Sequence, residues 1–104
     1  MIFIETAFFT EDVLGLLSDD EYHQLQLRLA ANPDAGDLIK DTGGLRKIRW
    51  ASGGRGKRGG VRVIYYDASS EDRIRMLLIY KKGIKDDLTA KEKAVLRGIN
   101  ERWK

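Results

Sequence analysis

Ile2-Phe3-Ile4-Glu5 is an apolar run of strand length, and after it the hydrophobic positions change period. Phe8, Phe9, Val13, Leu14, Leu16 and Leu17 recur three and four apart, which predicts a short helix. Ser18-Asp19-Asp20-Glu21 is a capping box, in which the Ser18 hydroxyl accepts from a free backbone N–H and Glu21 reaches back. The helix it starts carries Tyr22, Leu25, Leu27 and Leu29 as apolar positions, with acids at its positive end. Asn32-Pro33 ends it, because the residue before proline resists the helical region. Residues 34–44 read as a loop with a brief strand over 37–39.

The period then becomes two. Residues 45–51 read as a strand with Arg46, Ile48 and Trp50 on one side and Leu45, Lys47, Arg49 and Ala51 on the other. Residues 52–60 form a glycine-rich basic turn. Residues 61–67 form a second strand, with Val61, Val63 and Tyr65 on one face and Arg62, Ile64 and Tyr66 on the other. A polar turn over 68–72 leads to a third strand over 73–80. Thr89-Ala90-Lys91-Glu92 is a second capping box, and the closing helix carries Ala94, Val95, Ile99 and Trp103. Consecutive strands joined by short turns imply an antiparallel meander. The expected architecture is one α+β domain over 1–104: a small antiparallel sheet with two N-terminal helices and one C-terminal helix. With the helices covering one face, the other would display polar and cationic side chains.

Composition narrows the classes. The 104 residues contain no cysteine and one histidine, His23, which excludes a disulfide framework, a thiolate metal site and a His-rich cage. No cofactor and no metal are expected. With 42% apolar and 34% charged residues the chain is too apolar to be disordered, and no run approaches the roughly 20 apolar residues that span a bilayer. The first residues lack a basic leader, so a cytoplasmic protein with no membrane partner is expected.

Charge sharpens the picture further. Residues 1–41 hold nine acids and two bases, net −7; residues 42–66 hold seven bases and no acid, net +7; residues 67–104 hold ten bases and seven acids, net +3. Folded surfaces normally intersperse the signs. Seven cations without a counter-ion point to an anionic partner, the alternative being a solvated basic face with no role. Within the basic turn, glycines let backbone N–H groups approach phosphates while Arg55, Lys57 and Arg58 add charge; the spacing is not that of a Walker loop. Trp50 shares its parity with Ile48, which argues for packing rather than for stacking on a base.

Three stretches then carry a family likeness: Thr42-Gly43-Gly44-Leu45-Arg46-Lys47-Ile48-Arg49; Gly56-Lys57-Arg58-Gly59-Gly60-Val61-Arg62-Val63-Ile64-Tyr65-Tyr66; and Leu78-Ile79-Tyr80-Lys81-Lys82. Together with Asp87-Leu88-Thr89-Ala90 before the closing helix, they resemble the HigB-like branch of the RelE toxin superfamily. The resemblance implies a RelE-like microbial ribonuclease fold and the toxin of a type II toxin–antitoxin system. Such toxins enter the ribosomal A site and cut mRNA. The implied partners are the ribosome and mRNA, a cognate antitoxin that in this branch carries a helix-turn-helix domain, and operator DNA only through that antitoxin.

Metal-free RNA cleavage requires the 2′-OH to lose a proton and attack phosphorus, the phosphorane charge to be stabilised, and the 5′-oxygen to be protonated as it leaves. His23 lies in an acidic helix outside the basic region and is read as a surface or packing residue. Cations and tyrosines are left. By resemblance Arg62 occupies the arginine of an R-x-x-Y strand and grips the scissile phosphate with two donors. Lys47 and Arg49 match paired basic positions on the preceding strand; two apart, they face the same way. Crowding by like charge would lower the pKa of Lys47 and make it a proton acceptor. Lys82 or Lys81 matches a downstream basic site and would donate to the leaving oxygen. Arg46, Arg55, Lys57, Arg58 and Lys81 are the expected RNA contacts, and Arg62, Lys47, Lys82 and Arg49 the expected catalytic set. Leu88 falls where the best-known members place a catalytic tyrosine, with Tyr80 or Tyr66 as substitutes. Two other readings are kept: an RNA- or ribosome-binding protein that does not cut, which needs the same basic surface, and the gyrase-targeting branch of the superfamily, which shares the scaffold but against which the basic cluster at 46–62 weighs.

Overall fold

The computed structural model describes residues 1–51, 60–83 and 87–103. The chain runs β1 (Ile2–Glu5), α1 (Ala7–Leu16), α2 (Asp19–Ala31), β2 (Asp37–Leu38), β3 (Leu45–Trp50), β4 (Val61–Ala68), a 3₁₀ turn at Ser69–Glu71, β5 (Arg73–Lys81) and α3 (Ala90–Glu101). Each α-helix starts at a hydroxyl cap. Thr6 Oγ1 accepts from the Phe9 N–H at 3.1 Å. The Ser18 and Thr89 capping boxes are complete: each hydroxyl accepts from the N–H three residues on, and Glu21 and Glu92 accept from the cap N–H, at 2.8 Å in both cases. No helix among the described residues is long and apolar enough to cross a membrane.

The five strands form one sheet in the order β1-β5-β4-β3-β2. β2 through β5 are the expected antiparallel meander, but β1 pairs with β5 in parallel, Ile2 opposite Arg73 and Glu5 opposite Met76, so the sheet is mixed rather than purely antiparallel. The physical reason is that the meander ends with one edge of β5 unpaired. A parallel partner needs a long crossover, and the two N-terminal helices followed by the meander supply it. The joint is fastened by Ile2 N–H to Asp72 O at 3.0 Å, Thr6 N–H to Met76 O at 3.1 Å, and Thr6 Oγ1–H to Leu77 O at 2.9 Å.

The core has two sides. On the first, Phe9, Val13 and Leu17 from α1 and its end, with Leu25 and Leu29 from α2, pack on Ile48, Val61, Val63, Tyr65, Ile74 and Met76. On the second, Leu96 of α3 and Leu88 pack on Leu45, Ile64, Leu77 and Tyr80. The expectation that all helices cover one face is therefore corrected: α3 lies across the side that was to be left open. β4 and β5 are apolar on both faces, and such strands must be covered on both. Within α3 the buried stripe is Leu96 and Asn100, flanked by Ile99 and Trp103, whereas Ala94 and Val95 face outward. Leu27 of α2 is likewise on the surface.

Candidate functional site

The register of β3 and β4 determines which cations meet. Lys47 stands opposite Ile64 and Arg49 directly opposite Arg62. Arg62 in turn stands opposite Tyr80 on β5. Opposed residues project from the same face, so Lys47, Arg49, Arg62 and Tyr80 share the face on which α3 lies. Arg49 is exposed; Lys47 and Arg62 are half-buried. Cross-strand partners hold their Cβ atoms about 5 Å apart, and like charges so placed destabilise the sheet unless something neutralises them. The Arg49–Arg62 pair is thus a ready seat for an anion.

The other expected residues are distributed unevenly. Alternation beyond Tyr80 puts Lys82 on the same side, where its N–H donates to Gly60 O at 2.8 Å. Lys81 stands opposite Val61 and so belongs to the α1/α2 side; it does not join the cluster. Arg46 also faces that side, opposite Tyr65, and its guanidinium donates to Gly36 O at 2.8 Å, tying down the loop before β2. Arg55, Lys57 and Arg58 lie outside the described residues. His23 is exposed on α2. Trp50 packs against the first core cluster and donates from Nε1 to Glu21 O at 3.1 Å, which is the packing role expected of it.

The tyrosines divide by position. Tyr80 is only 7% exposed, and burial pushes its phenol above the usual value of 10, against the opposing pull of Arg62. The shift works against a role as proton acceptor. Tyr66 lies four residues along β4 from Arg62, about 13 Å away. There the Arg75 guanidinium stacks 5.4 Å from its ring centroid and 5.6 Å from that of Trp103, while donating to Asn100 Oδ1 at 3.0 Å. Tyr66 thus belongs to the clamp on the C-terminal end of α3. Leu88 is a core residue of the second cluster.

Two acids enter this face: Asp37, directly opposite Lys47 in the register of β2 and β3, and Asp87. Asp87 Oδ1 accepts from Lys47 Nζ at 3.0 Å, across 40 residues of sequence. The expectation that Lys47 is crowded only by like charge is corrected: the chain returns after β5 and brings a carboxylate to it. The Asp87 carboxyl is held below its ordinary 3.8, chiefly by the hydrogen bond from Lys47 and by its charge, with smaller contributions from Lys93 and Arg62. Beside the pair opens a cleft of about 350 Å³ lined by Asp37, Lys40, Lys47, Asp87, Leu88 and Lys93. Lys40, Lys93 and Asp87 were missed as candidates because they lie outside the acid-free stretch. Asp87 alone left a trace, being the first residue of the stretch before the closing helix that entered the family likeness. No protein-family model matches the chain.

Proposed function

We propose that this protein is a cytoplasmic ribosome-dependent mRNA endoribonuclease, the toxin of a type II toxin–antitoxin system held in check by a small antitoxin. The observation that carries the reading is the directly opposed Arg49–Arg62 pair, with Lys47 next to it on the same face. A phosphodiester set between two guanidinium groups relieves their repulsion and receives paired donors from each. As the 2′-oxygen attacks phosphorus and the bond to the 5′-oxygen breaks, the same cations stabilise the added charge of the phosphorane. Lys47, already paired with a carboxylate, contributes its charge in this scheme and is not the proton acceptor; the 2′-OH proton passes to solvent water. Lys82 supplies the proton to the leaving 5′-oxygen.

The test is induced expression followed by mapping of mRNA 5′ ends with and without active translation. The expected result is cleavage confined to translated messages, reduced about 10²- to 10³-fold by Arg62→Ala. Wild-type cleavage by Arg62→Ala would refute the assignment. The Lys47–Asp87 pair favours a second reading, an RNA- or ribosome-binding protein that does not cut, because it sequesters one of the candidate catalytic groups. In that case Arg62→Ala lowers RNA affinity and there is no cleavage to lose. A DNA-damage response with intact mRNA would instead indicate gyrase as the target.

A further inference from the structure

Lys47 and Asp87 are unequal partners. The Lys47 side chain is 26% exposed and rises from the middle of β3, whereas that of Asp87 is 80% exposed and belongs to no helix or strand. If the pair opens, it is the acid that leaves. An aspartate carboxylate and a phosphodiester are both single negative charges spread over two oxygen acceptors, so one can replace the other against the same ammonium. The cleft beside the pair has room for more than the carboxylate; Lys40 and Lys93 line it with Lys47, against one further acid, Asp37, so the cations outnumber the acids once Asp87 leaves.

We propose that the Asp87 carboxylate sits where a substrate phosphate binds, so that the cleft bounded by Lys40, Lys47 and Lys93 is a phosphodiester subsite closed in the free protein by the chain's own acid. The ligand's identity as RNA rests on the function proposed above; the anion site itself does not. Asp87 meets Lys47 at 3.0 Å and shares the cleft with Lys40 and Lys93, and the Lys47 contact, with smaller pulls from Lys93 and Arg62, favours negative charge at its position. An exposed ion pair is weak enough for an incoming anion to displace. Asp87 thus acts as an internal competitor: it occupies Lys47 until a polyanion that also engages Arg49 and Arg62 displaces it.

The test measures binding of a 2′-O-methyl RNA oligonucleotide, which cannot be cleaved, to the full chain by fluorescence anisotropy. The variants are Asp87→Asn, Lys47→Ala and the double variant, with Glu71→Gln in the distant 3₁₀ turn as a charge-matched control. Asp87→Asn is expected to tighten binding about two- to fivefold beyond the control, the range implied by loss of an exposed ion pair. The gain should disappear in the Lys47→Ala background. An Asp87→Asn protein that binds no tighter than Glu71→Gln, or that keeps its gain without Lys47, overturns the proposal. If the wild-type protein does not bind the oligonucleotide at all, the RNA reading fails. Wild type, Asp87→Asn and Glu71→Gln titrated with inorganic phosphate, followed by NMR at the Lys47 ammonium, then decide the subsite: tighter phosphate binding in Asp87→Asn than in Glu71→Gln supports it, and unchanged binding overturns it.

Discussion

Tyr65→Phe removes a single oxygen from the interior, and the structure sets its cost. The Tyr65 ring is fully buried on the α1/α2 side of the sheet. Its hydroxyl donates to Pro33 O at 2.8 Å and accepts from the Gly36 N–H at 2.8 Å. It thereby bridges both ends of the loop that carries the chain from α2 to β2. Gly36 runs close against β3 and the tyrosine: a Cβ there would lie 2.8 Å from Lys47 O and 2.9 Å from the Tyr65 ring, so only glycine fits beside them. A buried donor left without a partner costs about 1–3 kcal/mol, and the bond to Pro33 is lost as well. We expect a loss of about 2–3 kcal/mol, which lowers Tm by roughly 10–20 °C for a domain of this size. Urea unfolding followed by circular dichroism measures it, with an unchanged m-value marking an effect on the native state. Burial also raises the Tyr65 phenol above 10 in the folded protein. Its contribution is therefore complete below pH 10 and lost as pH rises through the folded value, so the variant should lose less stability than wild type in alkali. A destabilisation below about 0.5 kcal/mol would show that Gly36 and Pro33 find other partners and that the tyrosine does not brace the loop.

Two further outcomes are expected. Leu96→Ala, which empties the contact of α3 with Leu45, Ile64 and Leu77, should cost about 2–5 kcal/mol in the same unfolding assay; a loss below about 1 kcal/mol would mean that α3 does not cover the second face. An NMR titration of the side-chain carboxyls should find Asp87 with a midpoint below 3.8, so that its pairing with Lys47 persists on acidification and is lost only as pH falls through that depressed value. Lys47→Ala should move the midpoint back up, and an unmoved midpoint would show that the lysine is not the cause.

What could be read from the chain was what neighbours decide. The Ser18 and Thr89 capping boxes depend on residues three apart, and both form with their expected partners. The faces of β3 and β4 follow from strict alternation, so Lys47 and Arg49 were legible as sharing a side, whereas their grouping with Arg62 depended on the strand register, which sets Arg49 opposite Arg62. What could not be read depends on distant segments meeting. Ile2-Phe3-Ile4-Glu5 contains nothing that selects β5 as its partner or parallel as its direction. The Val95 and Leu96 pair offers two registers for the buried stripe of α3, and only the shape of the second face, with Leu45, Ile64 and Leu77 waiting, selects Leu96. Asp87 stands 40 residues from Lys47, and a tally of charge along the sequence cannot show that a fold will bring them together.

The parallel joint between β1 and β5 has a consequence for how the molecule is made. The Thr6 side chain bonds to a carbonyl 71 residues further along the chain, so β1 has no partner until β5 has been made. Contacts of such long sequence separation slow folding, because loop-closure entropy must be overcome before they form. The meander can pair as it is synthesised, and β1 must wait beside it. A nascent chain stalled before residue 73 would therefore keep the apolar strand β1 without its mate, and the sheet closes only after β5 has been made.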